Sequence, residues 1–185
     1  LNTAKWLYIE GYLSTSDTAR LAVKQAREIA KANGVKIALT LSDPAMVQYA
    51  RQGLNELLDD GVDLLFCNEQ EALMYTETDI IDAALAKLKL LSQSVVITLS
   101  SKGALISNSQ NTFTVEGREV VAVDTNGAGD AFAGSFIYTL NTGLNEKADA
   151  EIAVLISSQV VAQFGPRLDV QQDAELLNTF NQEAV

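Results

Sequence analysis

Residues 120–136 read VVAVDTNGAGDAFAGSF, and this stretch is the most informative one in the chain. A β-branched run enters a Gly-Ala-Gly turn and leaves it as an apolar helix that is predicted to reach about residue 140. Glycines let a backbone come close to a ligand, and the first turn of a helix presents unpaired N–H groups. The stretch therefore predicts an anion site where a strand passes into a helix.

Asp130 adds a carboxylate to the first turn of this helix. Its charge would repel a bound phosphate, but a carboxylate beside an incoming phosphoryl group can accept the proton of an attacking hydroxyl. Charge on the transferred group would then be stabilised by the backbone amides of Gly127, Ala128, Gly129 and Asp130. The alternative is structural: Asp130 complements the helix dipole by about 1 kcal/mol or less, and the glycines serve a tight joint. Spacing alone leaves both interpretations open.

Two familiar glycine-rich phosphate motifs do not match this stretch. The dinucleotide fingerprint G-x-G-x-x-G would need a glycine in place of Phe132. A P-loop would need Gly-Lys-Ser or Gly-Lys-Thr, and neither occurs in the sequence. Any phosphate chemistry in this segment is therefore of another kind.

The rest of the chain alternates short β-branched or aromatic runs with longer segments at helical spacing, which predicts βα units around a mostly parallel sheet. We predict strands at residues 5–13, 35–41, 63–67 and 94–99, and helices at residues 16–32, 44–60, 69–75 and 79–91. Further along, we predict a hairpin between residues 103–107 and 112–116, a short strand at 119–123, and helices at 145–164 and 170–180. A single unit over residues 1–185 is the simplest organisation.

Length and composition exclude several classes of function. A chain of 185 residues leaves room for one domain, and its net charge of −11 would repel nucleic acid and anionic membranes. The sequence has no histidine, which excludes Ser-His-Asp and Cys-His nucleophiles and His-bearing zinc sites. The single cysteine, Cys67, is compatible with a reducing compartment, and the apolar stretch at residues 152–164 is shorter than a membrane span of about 20 residues. We expect a soluble, cytoplasmic protein.

Residues 124–130, DTNGAGD, resemble the C-terminal signature of the ribokinase-like, or pfkB, carbohydrate and nucleoside kinases. The resemblance implies a three-layer α/β/α fold with a mostly parallel sheet, and ATP as the phosphoryl donor. It implies that Asp130 is the catalytic base and that residues 127–130 form the anion hole. It places Asp124 and Thr125, with Asn126, near the phosphates or a monovalent cation. The presence of Asn126 looks closer to the adenosine-kinase branch, whereas Ser135 departs from the usual Gly or Ala.

A second segment, CNEQEA at residues 67–72, agrees with this resemblance. Asn68 and Glu71 match the N-x-x-E arrangement that the family uses around magnesium and phosphate. ATP brings about four negative charges, so a Mg²⁺ ion held partly through water is electrically sensible. The alternative is a capping box, in which the same two residues satisfy amides at a helix start. The position at a predicted strand end favours the magnesium role, whereas Asp43, followed by Pro44, is expected only to cap a helix.

A third segment, ITLSSKGALI at residues 97–106, resembles the strand and turn that precede the nucleotide site in the family. Thr98 and Gly103 match residues that approach the phosphates and ribose, while Ser100 stands where a glycine is common. A structural role for Thr98 and Gly103, in a strand and a turn, is equally consistent with the sequence. Residues 164–166 fall where the family closes its adenine pocket, which adds Gly165 to the predicted cofactor site.

The resemblance covers nearly the whole chain but only the C-terminal portion of a family member. The N-terminal strands and the lid of such a kinase have no counterpart here, so the acceptor, a sugar or a nucleoside, is not identified. A portion of this kind exposes a sheet edge, which predicts a retained partner segment or a homo-oligomer, and it need not be active alone. Two further hypotheses stay open: a nucleotide-binding module without catalysis, and a structural α/β interaction domain.

Overall fold

A computed structural model describes residues 3–168 of the chain. These residues divide into two compact units, of which the first comprises residues 3–98 and 105–113 and the second comprises residues 99–104 and 114–168. The single domain over residues 1–185 stays a prediction. The helix predicted at residues 170–180 lies outside the described residues.

The first unit is built from alternating strands and helices. Its strands β1 to β4 span Trp6–Glu10, Lys36–Thr40, Val62–Asn68 and Ser92–Thr98. Its helices α1 to α5 span Asp17–Ala32, Pro44–Tyr49, Arg51–Leu58, Glu69–Thr76 and Ile81–Leu88. The four strands pair in parallel in their order along the chain. Helical crossovers of this kind are what parallel neighbours require.

Two short strands complete the sheet. Strands β5 and β6 span Ala104–Ser107 and Thr112–Val115 and extend the strand order to β1-β2-β3-β4-β5-β6. Residues 99–103 join β4 to β5, and residues 108–111 join β5 to β6. Both connections are too short for a parallel crossover, so these strands run antiparallel to their predecessors. The hairpin predicted between residues 103–107 and 112–116 is confirmed.

Both faces of the central strands are buried. Consecutive residues of a strand point to opposite faces, and Ile37, Ala38 and Leu39 of β2 are each at most 3% exposed. The same holds for Val95, Val96 and Ile97 of β4. A parallel sheet covered on both faces reads as continuous apolar runs, which is why the sequence showed these strands clearly. The predicted α/β fold with a mostly parallel sheet is confirmed.

Two predicted elements of the first unit end differently in the structure. The strand predicted at residues 5–13 stops at Glu10, where Gly11–Thr15 forms a 3₁₀ turn. A Cβ atom on Gly11 would lie 2.8 Å from the Thr40 carbonyl oxygen, so this turn depends on a close backbone approach. The helix predicted at residues 44–60 is two helices, α2 and α3, because Ala50 leaves the helical conformation with φ −125° and ψ 24°.

The second unit contains a helical hairpin. Helix α6 spans Ala128–Thr139, helix α7 spans Glu146–Val161, and the two pack against each other. Asn145 caps α7, since its side-chain oxygen accepts a hydrogen bond from the Ala148 N–H at 3.0 Å. Among the helices within residues 3–168, none combines the length and the hydropathy that crossing a bilayer requires.

The prediction of a strand at residues 119–123 is wrong. This segment has no regular secondary structure, and the Val121 side chain is 84% exposed. The N–H groups of Val123 and Asp124 donate instead to the carbonyl oxygen of Val161, at 2.9 and 3.2 Å. Their acceptor is the last residue of α7, far along the chain, and not a neighbouring strand. The other strands and helices predicted within residues 3–168 are present, with ends that differ by a few residues.

Candidate functional site

The Gly-Ala-Gly turn forms the start of α6. Gly127 is the N-cap residue and has a left-handed backbone, with φ 76° and ψ −3°. A Cβ atom at this position would lie 2.6 Å from the Cβ atom of Pro166, which is closer than real Cβ contacts come. Its carbonyl accepts the first helical hydrogen bond, from the Ala131 N–H at 2.8 Å. Gly127 is therefore required by both backbone conformation and space.

The amides at this helix start are largely free. Among residues 3–168, no acceptor receives the N–H groups of Gly127, Gly129 and Asp130, whereas the Ala128 N–H donates to the Thr125 carbonyl at 3.3 Å. Gly129 is exposed, and a Cβ atom built on it would meet no atom within 4 Å. Unpaired N–H groups beside open space at the positive end of a helix form a site that an anion can occupy.

Asp130 lies at this helix start and is exposed. Within residues 3–168 its carboxylate takes part in no ion pair. The carboxylate is thus available to a ligand that reaches the free amides of its own helical turn. This is the arrangement expected of a base beside a phosphoryl site, and it equally satisfies an exposed acid at a helix N-terminus.

Asp124 connects the turn to the segment that follows α7. Its carboxylate accepts hydrogen bonds from the Asn126 N–H at 3.0 Å and from the Gly165 N–H at 3.2 Å. The hydrogen bond from Asn126, and then that from Gly165, lower the pKa of Asp124, which keeps it ionised. Gly165 has a positive φ of 94°. The roles of Asp124, Thr125, Asn126 and Gly165 toward phosphates or a monovalent cation stay predictions.

Asn68 and Glu71 form a capping box at the start of α4. The Asn68 side-chain oxygen accepts from the Glu71 N–H at 2.8 Å, and the Glu71 carboxylate accepts from the Asn68 N–H at 2.9 Å and from its Nδ2 at 2.7 Å. The structural interpretation of N-x-x-E is thus correct for this segment. The Glu71 carboxylate already accepts two hydrogen bonds, and the role of Asn68 and Glu71 toward Mg²⁺ stays a prediction.

Burial governs the ionisation of Glu71, which is only 4% exposed. Desolvation raises the pKa of Glu71 to about 7, although the hydrogen bond from the Asn68 backbone opposes this rise. Asp43 raises the pKa further through its negative charge. Asp43 also caps α2, as expected, because its side chain accepts from the Ala45 N–H at 2.6 Å. Sequence reasoning gave Asp43 only the capping role, and no sequence signal pointed to its effect on Glu71.

Thr98 and Gly103, which were predicted to approach the nucleotide, have different surroundings in the structure. Thr98 is the register partner of Asn68, so the last residues of β3 and β4 lie side by side at the carboxyl edge of the parallel sheet. Ligands bind at such edges in open α/β sheets. Gly103 has a φ of 97°, and a Cβ atom on it would lie 2.6 Å from the Gly117 nitrogen. A close approach of two backbone segments therefore explains Gly103 without a ligand.

Sequence comparison decides the family. The profile of the pfkB family carbohydrate kinases matches residues 1–173. The chain belongs to the pfkB family of carbohydrate kinases. The predicted resemblance, based on residues 124–130, is thereby confirmed.

Relatives within the pfkB family include both sugar and nucleoside kinases. The ribokinase of Haemophilus influenzae is 34% identical over 139 residues, which cover 71% of this chain and 42% of the relative. The adenosine kinase of Schizosaccharomyces pombe is 31% identical over 156 residues, which cover 76% and 45%. Since both activities occur at similar identity, the leaning toward the adenosine-kinase branch stays a prediction.

Solved pfkB structures share the fold of this chain. The adenosine kinase of Sinorhizobium meliloti matches with a TM-score of 0.90 and 33% identity, covering 96% of this chain and 55% of its own. A putative ribokinase II of E. coli in complex with ATP and Mg²⁺ matches with a TM-score of 0.83 and 26% identity, covering 97% and 59%. The chain spans about half the length of the curated relatives it matches.

Proposed function

We propose that the whole protein is an ATP-dependent kinase that phosphorylates a hydroxyl group of a sugar or a nucleoside. The observation that carries this proposal is the start of α6, where free backbone N–H groups, open space and an exposed carboxylate occur within one helical turn. Membership of the pfkB family and a structural relative in complex with ATP and Mg²⁺ support it.

The proposed chemistry uses the residues of this turn. The oxygens of the γ-phosphoryl group accept hydrogen bonds from the free amides of Gly127, Gly129 and Asp130, which stabilise the charge that spreads over these oxygens in the transition state. The Asp130 carboxylate accepts the proton of the acceptor hydroxyl as the new P–O bond forms. The bond from the γ-phosphorus to the bridging oxygen breaks, and ADP leaves with that electron pair.

The remaining predicted residues serve the nucleotide and its cations in this proposal. Asn68 and Glu71 would hold Mg²⁺ partly through water, and the ion would neutralise phosphate charge in a protein whose net charge is −11. Residues that contact the nucleotide or a monovalent cation are Thr98, Gly103, Asp124, Thr125, Asn126 and Gly165. We also propose a cytoplasmic location, which suits the buried free thiol of Cys67.

Asp130→Asn in the full-length protein tests the base. A positioned general base contributes about 10²–10⁴-fold to rate, so kcat should fall by that factor while the affinity for ATP stays nearly constant. Turnover is measured by coupled ADP release with a panel of sugars and nucleosides as acceptors. Unchanged turnover would remove Asp130 from the mechanism.

Gly129→Ala tests the anion site separately from the base. Its new Cβ atom enters the open space beside the free amides, and a displacement of about 1 Å in such a site costs about 10²-fold in rate. Gly134→Ala is the matched control, because Gly134 is exposed in the same helix and its Cβ position also meets no atom within 4 Å. Equal kcat/KM for the two variants would contradict a phosphoryl site at the helix start.

Thermal melting with and without Mg-ATP separates the rival classes. A kinase and a nucleotide-binding module without catalysis both gain thermal stability from Mg-ATP, by about 2.7 kcal/mol at a hundredfold excess over Kd. Only the kinase then phosphorylates an acceptor. A structural α/β interaction domain shows neither effect. Size-exclusion chromatography with intact-mass analysis of the same sample tests the predicted homo-oligomer or retained segment.

A further inference from the structure

The first unit contains a polar cavity of about 330 Å³. Small-molecule sites in proteins have volumes of about 300–1,000 Å³, so this cavity is large enough for a small ligand. The 3₁₀ turn after β1 and helices α1, α2 and α3 contribute its lining, which includes Ser14, Arg20, Tyr49, Gln52, Gly53 and Glu56. None of these residues is among those predicted to serve the nucleotide, the base or the magnesium ion.

A close approach of α3 to the 3₁₀ turn forms one wall of the cavity. A Cβ atom on Gly53 would overlap the Ser14 carbonyl oxygen and would lie 3.0 Å from the Ser14 Cβ atom. Ser14 is 2% exposed, and its Oγ atom has no hydrogen-bond partner among residues 3–168. A buried hydroxyl group without a partner costs free energy. This wall therefore has hydrogen-bonding capacity that the chain itself does not satisfy.

The start of α3 adds two backbone donors to the cavity. No side chain caps this helix, and within residues 3–168 no acceptor receives the N–H groups of Gln52 and Gly53. The Leu54 N–H, by contrast, donates to the Ala50 carbonyl at 2.9 Å. Because Gln52 and Gly53 both line the cavity, an oxygen atom of a ligand can accept hydrogen bonds from this helix start.

The charges at the cavity oppose a charged ligand of either sign. The Arg20 guanidinium donates to the carboxylates of Glu56 and Asp17, at 2.6 Å each, and to the Ser14 carbonyl at 2.8 Å. An anion would be repelled by Glu56 and Asp17, and a cation would be repelled by Arg20. The free amides of α3 thus face a place where a neutral oxygen-bearing ligand is favoured over a carboxylate or a phosphate.

Hydroxyl groups suit the mixture of donors and acceptors in this cavity. The Gln52 Nε2 lies 3.4 Å from Oε1 of Glu56, and the side-chain oxygen of Gln52 accepts no hydrogen bond from the described part of the chain. A hydroxyl group both donates and accepts, so it can use the α3 amides and these side-chain oxygens together. Tyr49, which is 79% exposed, adds an aromatic ring on which the C–H face of a sugar ring can pack.

We propose that this cavity binds a neutral, polyhydroxylated small molecule of the size of a monosaccharide. Its hydroxyl groups accept hydrogen bonds from the Gln52 and Gly53 amides and donate to the side-chain oxygens of Gln52 and Glu56. Its C–H face lies on the Tyr49 ring. All of these residues belong to the first unit, so the site does not depend on the proposed kinase activity of the whole protein.

A ¹H–¹⁵N NMR titration of the full-length protein tests the site, with D-glucose, D-ribose and myo-inositol as separate probes. A ligand with so few atoms should bind with a Kd of about 1 mM, and the amide resonances of Gln52 and Gly53 should shift with that midpoint for at least one probe. D-Glucuronate carries a carboxylate on the same ring as D-glucose and should bind at least about tenfold more weakly than the tightest neutral probe.

Exposed side chains of the first unit provide matched variants. Gln52→Ala and Tyr49→Ala should each weaken the binding of the tightest neutral probe by about 3–10-fold, because they remove a hydrogen-bonding group and the aromatic ring. Gln25→Ala is the control, since Gln25 is an exposed glutamine of α1 that lies outside the cavity lining. Its Kd should equal that of the unsubstituted protein.

Four results would overturn the proposal. They are unchanged Gln52 and Gly53 resonances up to about 50 mM of each neutral probe, tighter binding of D-glucuronate than of any neutral probe, an unchanged Kd in both cavity variants, and an equal loss of affinity in Gln25→Ala. Sugar-dependent shifts confined to residues 124–130 fall under the first of these results and leave the kinase proposal intact. Shifts at Gln52 and Gly53 without turnover of any acceptor would support the cavity site and refute the kinase proposal alone.

Discussion

Replacing Gly127 by alanine should destabilise the second unit strongly, while the same change at Gly129 should not. Gly127 has a positive φ of 76°, and Gly129 lies within the regular helix α6. A Cβ atom at Gly127 would lie 2.6 Å from the Pro166 Cβ, whereas one at Gly129 would meet nothing within 4 Å. Alanine substitution is therefore predicted to have opposite effects on stability at these two glycines of one motif.

The magnitude follows from two separate costs. A left-handed backbone costs an L-residue about 1–2 kcal/mol. Forcing an extra carbon against Pro166 costs about 1–3 kcal/mol more, because the segment after α7 must move. Gly127→Ala should thus lose about 2–5 kcal/mol, and Gly129→Ala should gain up to about 1 kcal/mol from the better helix propensity of alanine.

Urea denaturation followed by far-UV circular dichroism measures both changes. The single tryptophan, Trp6, lies in β1 of the first unit, so its fluorescence does not serve for α6. For a chain of this length, the loss in Gly127→Ala corresponds to a fall in Tm of about 4–20 °C. Equal shifts for the two variants, or a loss below about 0.5 kcal/mol in Gly127→Ala, would refute the reasoning.

Three other changes test the two units. Arg27→Met should lower the free energy of unfolding of the first unit by about 3–5 kcal/mol. The reason is that the guanidinium of Arg27, a residue only 2% exposed, donates hydrogen bonds to the carbonyls of Leu57, Leu58 and Gly61. Trp6 fluorescence in urea measures this loss, and a loss below about 1 kcal/mol contradicts the prediction. Asn145→Ala should cost about 1 kcal/mol by removing the cap of α7, and an unchanged urea midpoint would argue against that cap. Burial raises the pKa of Asp149 above the ordinary value of 3.8. The carboxyl group therefore stabilises the folded chain fully below pH 3.8, and this stabilisation is lost as the pH rises through the raised pKa. Asp149→Asn should lack this loss in urea titrations across pH, and a loss equal to that of the unsubstituted chain would exclude Asp149 as its source.

Features that depend on neighbours in the sequence were predictable. The cap at Asp43 and the capping box of Asn68 and Glu71 involve residues within three positions of each other. The apolar runs of the parallel strands were equally clear, because burial on both faces leaves no polar alternation. The family followed from residues 124–130, where a short and specific motif was sufficient.

Features that depend on residues far apart in the sequence were not predictable. Residues 119–123 have the β-branched composition of a strand, but the acceptor for the Val123 N–H is Val161. The close approach behind Gly103 involves Gly117, and that behind Gly11 involves Thr40. The composition of a segment indicates the secondary structure that it favours. Whether a neighbouring strand is present to accept its hydrogen bonds depends on the folded chain.

The sequence by itself determined the alternation of strands and helices and the family of this protein, because short-range hydrogen bonds and periodic burial are recorded in consecutive residues. Only the tertiary structure decided which helix-start amides remain free, that Asp149 is buried, and that burial raises the pKa of Glu71. The solvent exposure of a residue and the charges around it depend on segments that are distant in the sequence, and no local pattern specifies them.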